Sequence, residues 1–205
     1  MTAATRSVVV FDVMRGRVGD YVDWLRASEA GLAEHGLSER SVLVSGSRVI
    51  IHVEGADPAA IYEPERAGMA DGSLAGVLNG ADGPLAIFEE KSCWQSPEDR
   101  PETQRAGLVL KLKDGQEAAY WQWMAGALPT MEEVWRRSRI WRHDVFQSGT
   151  AVVAYYECEH RYNVLKAFRE PESLAMLMGD MASLVVLDPY APMPLYEEVH
   201  YWKAS

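Results

Sequence analysis

Apolar and polar positions alternate along this chain in a pattern that repeats once. Val8–Met14 is an apolar run, and Val18, Tyr21, Val22, Leu25 and Leu32 then recur at helical spacing. The pattern predicts a strand over Ser7–Met14, a helix over Val18–His35 ended by Gly36, and a hairpin of Arg40–Ser45 with Arg48–Glu54 around Gly46. Asp57-Pro58 reads as the start of a second helix, with Pro64 and several glycines expected to break it. Leu85–Trp94 reads as a closing strand.

The same order returns further on. A strand over Leu108–Lys113 precedes a helix over Gln116–Arg137, expected to bend at Pro129. A hairpin of Ile140–Gln147 with Ala151–Glu159, a helix over Tyr162–Leu187 interrupted near Pro171, and a strand over Leu195–Lys203 follow. Local identities support the repeat. Tyr21-Val-Asp-Trp24 matches Tyr120-Trp-Gln-Trp123, residues 42–54 match 145–157, and Phe88–Trp94 matches Tyr196–Trp202.

Each repeat therefore reads β-α-β-β-α-β, a ferredoxin-like order with both helices on one face of an antiparallel sheet. The expected fold class is α+β, with two tandem ferredoxin-like units forming an intramolecular dimeric α+β barrel. The expected division is a first unit over residues 1–95, a polar Pro-containing linker over 96–105 and a second unit over 106–205.

Composition narrows the function classes. Twenty Lys and Arg against thirty Asp and Glu give a formal charge of −10 over 205 residues, which disfavours nucleic acid as a partner. No apolar run approaches the roughly 20 residues that span a bilayer, and the N-terminus lacks a secretory h-region, so a cytoplasmic protein without a membrane partner is expected. Cys93 and Cys158 form no metal or disulfide pattern. The chain contains no G-x-G-x-x-G, Walker A, H-E-x-x-H or G-x-S-x-G motif. Cofactor-free chemistry or plain binding of a small molecule is the expectation, with no metal and no cofactor.

Strand positions single out the candidate site residues. Arg40, His52, Glu54 and Glu90 come from the first repeat, and His143, Tyr155, Glu157, Glu198 and His200 from the second. A histidine near neutrality moves a proton, and an arginine or tyrosine holds a developing oxyanion. His52, Arg40, His143 and Tyr155 are the candidate catalytic set. Glu54, Glu157 and His200 are candidate substrate contacts, although each glutamate equally suits a water-facing strand position. Trp24, Trp94 and Trp123 suit either core packing or a flat wall for a polycyclic ligand, and Trp121, Trp123, Trp135 and Trp141 crowd into the second repeat. Met176, Met178 and Met181 read as core.

Several stretches resemble the tetracenomycin-type aromatic polyketide cyclases: Ala27-Ser28-Glu29, Gly36–Arg40, Val42–Glu54 and Cys93–Asp99. The resemblance covers most of the first repeat. It implies a small actinobacterial dimeric α+β barrel protein with an arginine entering the second strand, a histidine in the third and a W-x-S-P-x-D segment after the fourth. Arg40, His52 and Trp94–Asp99 hold those positions. The acidic and histidine residues of that family between first helix and second strand have only Glu34 and His35 as counterparts. The second repeat puts His143 for Arg40 and Tyr155 for His52. Its last helix and strand, from the 178–181 region through Pro194–Trp202, also resemble the rhamnose mutarotases, but the position of their helical histidine falls near Met124, which argues against sugar mutarotation.

The resemblance implies an aldol cyclisation and dehydration of a poly-β-keto or polycyclic intermediate, with His52 as acid/base and Arg40 on the oxyanion. The alternatives are a cofactor-independent quinone-forming monooxygenase on a polycyclic phenol, since such enzymes share this barrel, and a non-catalytic intermediate-binding protein. A homodimer of the fused pair stays open.

Overall fold

A computed structural model describes residues 5–32, 36–55, 63–78, 86–97, 103–186 and 194–204. The fold is α+β, built from two tandem ferredoxin-like units whose strands pair antiparallel. The elements are β1 Thr5–Asp12, α1 Val18–Leu32, β2 Leu37–Ser45, β3 Arg48–Gly55, α2 Glu63–Ala70, β4 Ala86–Gln95, β5 Gln104–Lys111 and α3 Glu117–Arg137. They continue with β6 Ile140–Ser148, β7 Ala151–Cys158, α4 Tyr162–Arg169, α5 Pro171–Met176, a π-helical turn Leu177–Met181, α6 Ala182–Leu184 and β8 Tyr196–Lys203.

The chain separates into two compact units, residues 1–89 with 196–205, and residues 90–195. This differs from the division expected from the repeat. The last strand, β8, belongs to the first unit because it pairs along β2, from Glu39 opposite Lys203 to Val44 opposite Glu197. Val199 and Trp202 pack against the first unit's core. The later half of β4 belongs to the second unit, where Trp94 is buried against Trp135 and Ser96 N–H donates to Trp141 O at 2.8 Å. The former half stays with β1 through pairs such as Val8 with Phe88. Part of the expected linker is strand: β5 begins at Gln104.

In the first unit, Tyr21, Leu25 and Leu32 of α1 are buried one above another against Val9, Phe11, Val42, Val49, Ile51 and Val53. Burying each such side chain stabilises by about 1.5–3 kcal/mol. Pro64 lies in the first turn of α2 and does not break it, since the first turn needs no N–H there. The expected start at Asp57-Pro58, and Glu34 with His35, lie outside the described residues.

In the second unit, α3 runs through Pro129 to Arg137. The expected Tyr162–Leu187 helix is split into α4, α5, the π-turn and α6, the first break falling before Pro171 as anticipated. Two core clusters lie beneath these helices, one around Trp94, Trp135 and Tyr156 and one around Tyr120, Val145 and Met181.

Both hairpins turn through two residues. Gly46 and Gly149 stand at φ 62° and 55°, a left-handed conformation that glycine adopts without a Cβ penalty. These turns set the register: Ser45 pairs with Arg48, and Ser148 with Ala151. Every cross-strand neighbour in β2–β3 and β6–β7 follows from them, apart from a bulge near the start of β2 and of β6.

Candidate active site

Register decides which candidate residues can meet, because cross-strand partners share a sheet face and a step of one residue changes face. In the first unit Arg40 pairs with Val53, whereas His52 pairs with Ser41 and Val8. Arg40 and His52 therefore lie on opposite faces, and the expected acid/base and oxyanion pair does not assemble. In the second unit His143 pairs with Tyr156, and Tyr155 with Asp144. His143 and Tyr155 are separated in the same way.

Arg40 is fully buried on the helix-covered face. Its guanidinium makes an ion pair with Glu65 of α2, and Glu65 Oε1 also accepts the Tyr21 hydroxyl at 2.7 Å. Burial alone would lower the arginine's pKa, but Glu65 and Tyr21 outweigh it and the pKa is raised. The arrangement ties α1 and α2 to the sheet. His52 is also fully buried, on the other face.

The remaining first-unit candidates serve as contacts between elements. Glu54 is partly buried and pairs with Arg6 across β1–β3 at 3.0 Å. Glu90 is exposed. Trp24 stacks on Tyr21 at 5.8 Å and donates its indole N–H to Ser73 Oγ at 3.1 Å. His200, expected in the second unit's pocket, lies in the first unit, its Nε2 2.6 Å from Glu29 Oε1 of α1.

Tyr155 and Glu157 belong to a buried charged cluster in the second unit. Arg142 reaches Asp144 at 2.6 Å and Glu157 at 3.0 Å, and the Tyr155 hydroxyl donates to Glu157 at 3.5 Å. The guanidinium lies over the Tyr155 ring at 5.7 Å. Each charge in this cluster has an opposite charge beside it, which is the condition for burying it.

The helix-covered face of the second unit holds a different arrangement. A cavity of about 470 Å³, counting the part open to solvent, lies between the sheet and α3, α4 and α5. His143, Tyr120, Tyr156, Trp123, Trp135 and Phe168 supply its rings, and methionines fill much of the rest of the wall. Trp123 is thus the one expected tryptophan contact that lines it; Trp94 packs behind Trp135 at 5.2 Å.

His143 is the polar centre of this wall. Its ring sits 4.2 Å from Trp135 and 4.8 Å from Tyr156, centroid to centroid. Its Nδ1 is buried without a hydrogen-bond partner among the described residues. Burial pulls its pKa down to about 4, against a smaller opposing pull from Asp144, so the imidazole is neutral at pH 7. Burial pushes the phenols of Tyr120 and Tyr156 up, so both keep their protons. Ser173 Oγ, also on the cavity wall, has Met131 Sδ as its partner at 3.7 Å, a weak acceptor. A neutral imidazole can accept a proton here, and protonated hydroxyls can donate hydrogen bonds to an oxygen that becomes anionic.

Tyr120 and Tyr156 were not among the sequence candidates. Counting outward from the two-residue turn at Gly149 places Tyr156, rather than Tyr155, opposite His143. Tyr120 lies one turn before Trp123 and Met124 on α3, the helix whose tryptophans had already marked this unit. Among the described residues no group of three or more His, Cys, Asp and Glu side chains is placed to hold a metal. No described helix is long and apolar enough to cross a membrane.

Neither a protein-family model nor any curated sequence matches the chain. Solved structures match its fold over almost the whole length. A Fusobacterium nucleatum protein provisionally named a monooxygenase aligns over 99% of this chain and 96% of its own, at TM-score 0.68 and 8% identity. An anthrone oxidase-like protein aligns over 98% and 93%, at TM-score 0.63 and 11% identity. A protein provisionally named a chlorite dismutase aligns over 98% and 96%, at TM-score 0.58 and 11% identity. Identities this low establish a shared fold, and proteins so differently named show that the fold alone does not select a reaction.

Proposed function

We propose that the second unit is a cofactor-independent monooxygenase site that takes a flat polycyclic phenol or anthrone-type substrate to the quinone. The observation that carries this reading is the single neutral imidazole of His143, set between aromatic rings in an apolar cavity beside two protonated phenols. The names borne by two of the fold's relatives, a monooxygenase and an anthrone oxidase-like protein, point to the same chemistry.

In this reading the aromatic walls hold the substrate's rings by area and stacking. His143 accepts a proton from the carbon that lies between the rings, and the electron pair moves onto the conjugated oxygen. Tyr120 and Tyr156 donate hydrogen bonds to that oxygen. The new anion beside the imidazolium offsets the burial that otherwise keeps His143 neutral. The carbanion reduces dioxygen and bonds to it, forming a hydroperoxide after His143 returns its proton. Loss of water then leaves a carbonyl, so one CH₂ and one O₂ give one C=O and one H₂O.

Aldol cyclisation, the reaction of the polyketide cyclases, shares the first proton transfer and needs the same cavity, but consumes no oxygen. An oxygen electrode with anthrone as substrate separates the readings. Uptake of one O₂ per quinone formed, reduced about 10²-fold or more in H143Q, is expected. An unchanged rate in folded H143Q removes His143 from the reaction. Tight binding of a polycyclic phenol with no turnover leaves the intermediate-binding role.

A further inference from the structure

A second concavity lies between α3 and β4, about 520 Å³ counting its open part, lined by Lys91, Ser92, Trp121, Met124, Ala125 and Leu128. Met124 also lines the inner cavity that contains His143. The helix explains the sharing. Tyr120, Trp123, Met131 and Trp135 turn one face of α3 to the inner cavity, and Trp121, Ala125 and Leu128 turn the next face to the groove. Met124 falls at the border of the two faces.

The two concavities have different chemistry. The inner wall is almost wholly apolar or aromatic, whereas the far side of the groove, on β4, carries the ammonium of Lys91 and the hydroxyl of Ser92. Trp121 is fixed, its indole N–H donating to Gln147 Oε1 at 2.6 Å. Met124 has no such tether, and an unbranched thioether chain with three rotatable bonds changes shape at little cost. One flexible side chain thus stands between an apolar chamber and a groove with hydrogen-bond donors at its edge.

We propose that Met124 is a movable partition and the residue that sets substrate length. The substrate class is an elongated aromatic whose reacting ring lies at His143. Its far end passes Met124 into the groove and presents an oxygen acceptor, such as a carboxylate, to Lys91 and Ser92. This rests on the proposed use of the inner cavity as the substrate site, and extends it.

Binding, read by quenching of tryptophan fluorescence, tests the partition without turnover. The probes are 2-naphthol, which needs the inner cavity alone, 4-(2-naphthyl)butyrate, which adds a tail ending in a carboxylate, and 2-butylnaphthalene, which adds an apolar tail. The butyrate should bind about tenfold more tightly than butylnaphthalene, the scale of one charge-assisted hydrogen bond, and K91M should abolish that preference. M124W should weaken both long probes at least tenfold more than it weakens 2-naphthol, and the circular dichroism of the variant reports on folding. Equal losses for short and long probes in M124W overturn the partition, as does a butyrate preference that survives K91M. Failure of 2-naphthol to bind the wild-type protein overturns the inner cavity itself, and the partition with it.

Discussion

His143 should make this protein acid-sensitive by an amount the structure sets. Its folded pKa is about 4, pulled down mainly by burial between Trp135 and Tyr156, against an ordinary value of 6.5. Below pH 6.5 the unfolded chain takes up a proton that the folded imidazole refuses, so stability falls as pH falls. The contribution is complete above pH 6.5, is lost progressively towards pH 4, and changes no further below that. At pH 5 the unfolded imidazole is almost fully charged and the folded one almost uncharged, which costs about 2 kcal/mol. Phenylalanine fills the same slot between the two rings and does not titrate. Urea denaturation of the wild-type protein and H143F at pH 7.5, 6.5, 5.5 and 5 isolates the effect, because every other titrating group is common to both proteins. The wild-type protein should lose about 2 kcal/mol more than H143F between pH 7.5 and 5. Parallel curves for the two proteins would falsify the buried, neutral state of His143, and with it the proton acceptor of the proposed reaction.

Two further outcomes follow from the site geometry. E65A leaves the Arg40 guanidinium buried without its carboxylate and should cost about 3–5 kcal/mol in denaturant unfolding, whereas the apolar double variant R40M/E65L should lie near wild type; equal destabilisation of both would refute a paired-charge role. Y156F should lower oxygen uptake with anthrone by about 10²-fold, the scale of one lost oxyanion donor, while Y155F leaves it unchanged. The reverse pattern would place the chemistry on the other sheet face.

The element order of this chain was legible because it rests on local physics. Apolar spacing at Tyr21, Leu25 and Leu32 marks one buried helix face, and glycines at 46 and 149 mark the two hairpin turns whatever lies around them. The repeat, and with it the tandem ferredoxin-like fold, followed from comparing the two halves position by position. The candidate site was legible only in part. His143 and Trp123 line the cavity, but Arg40, His52 and Tyr155 do not. Matching Arg40 with His143, and His52 with Tyr155, was sound as alignment, yet a repeat offset does not say which face a residue occupies. That follows from the turn residues, through cross-strand register with a period of two, and it replaces Tyr155 with Tyr156.

Other features depend on contacts between residues far apart in the chain. Arg40 became a structural ion pair because α2 carries Glu65 onto the same face of the sheet. His200 went to the first unit because β8 found its partner in β2, roughly 160 positions upstream. The cavity around His143 lies where α3, α4 and α5 cover that face of the sheet, and its lining residues come from positions up to about 70 apart in the chain. Sequence by itself determined the elements, the repeat and the kinds of side chain on offer. Tertiary structure decided which of them meet, because burial, charge pairing and the state of an imidazole depend on neighbours that only the folded chain supplies.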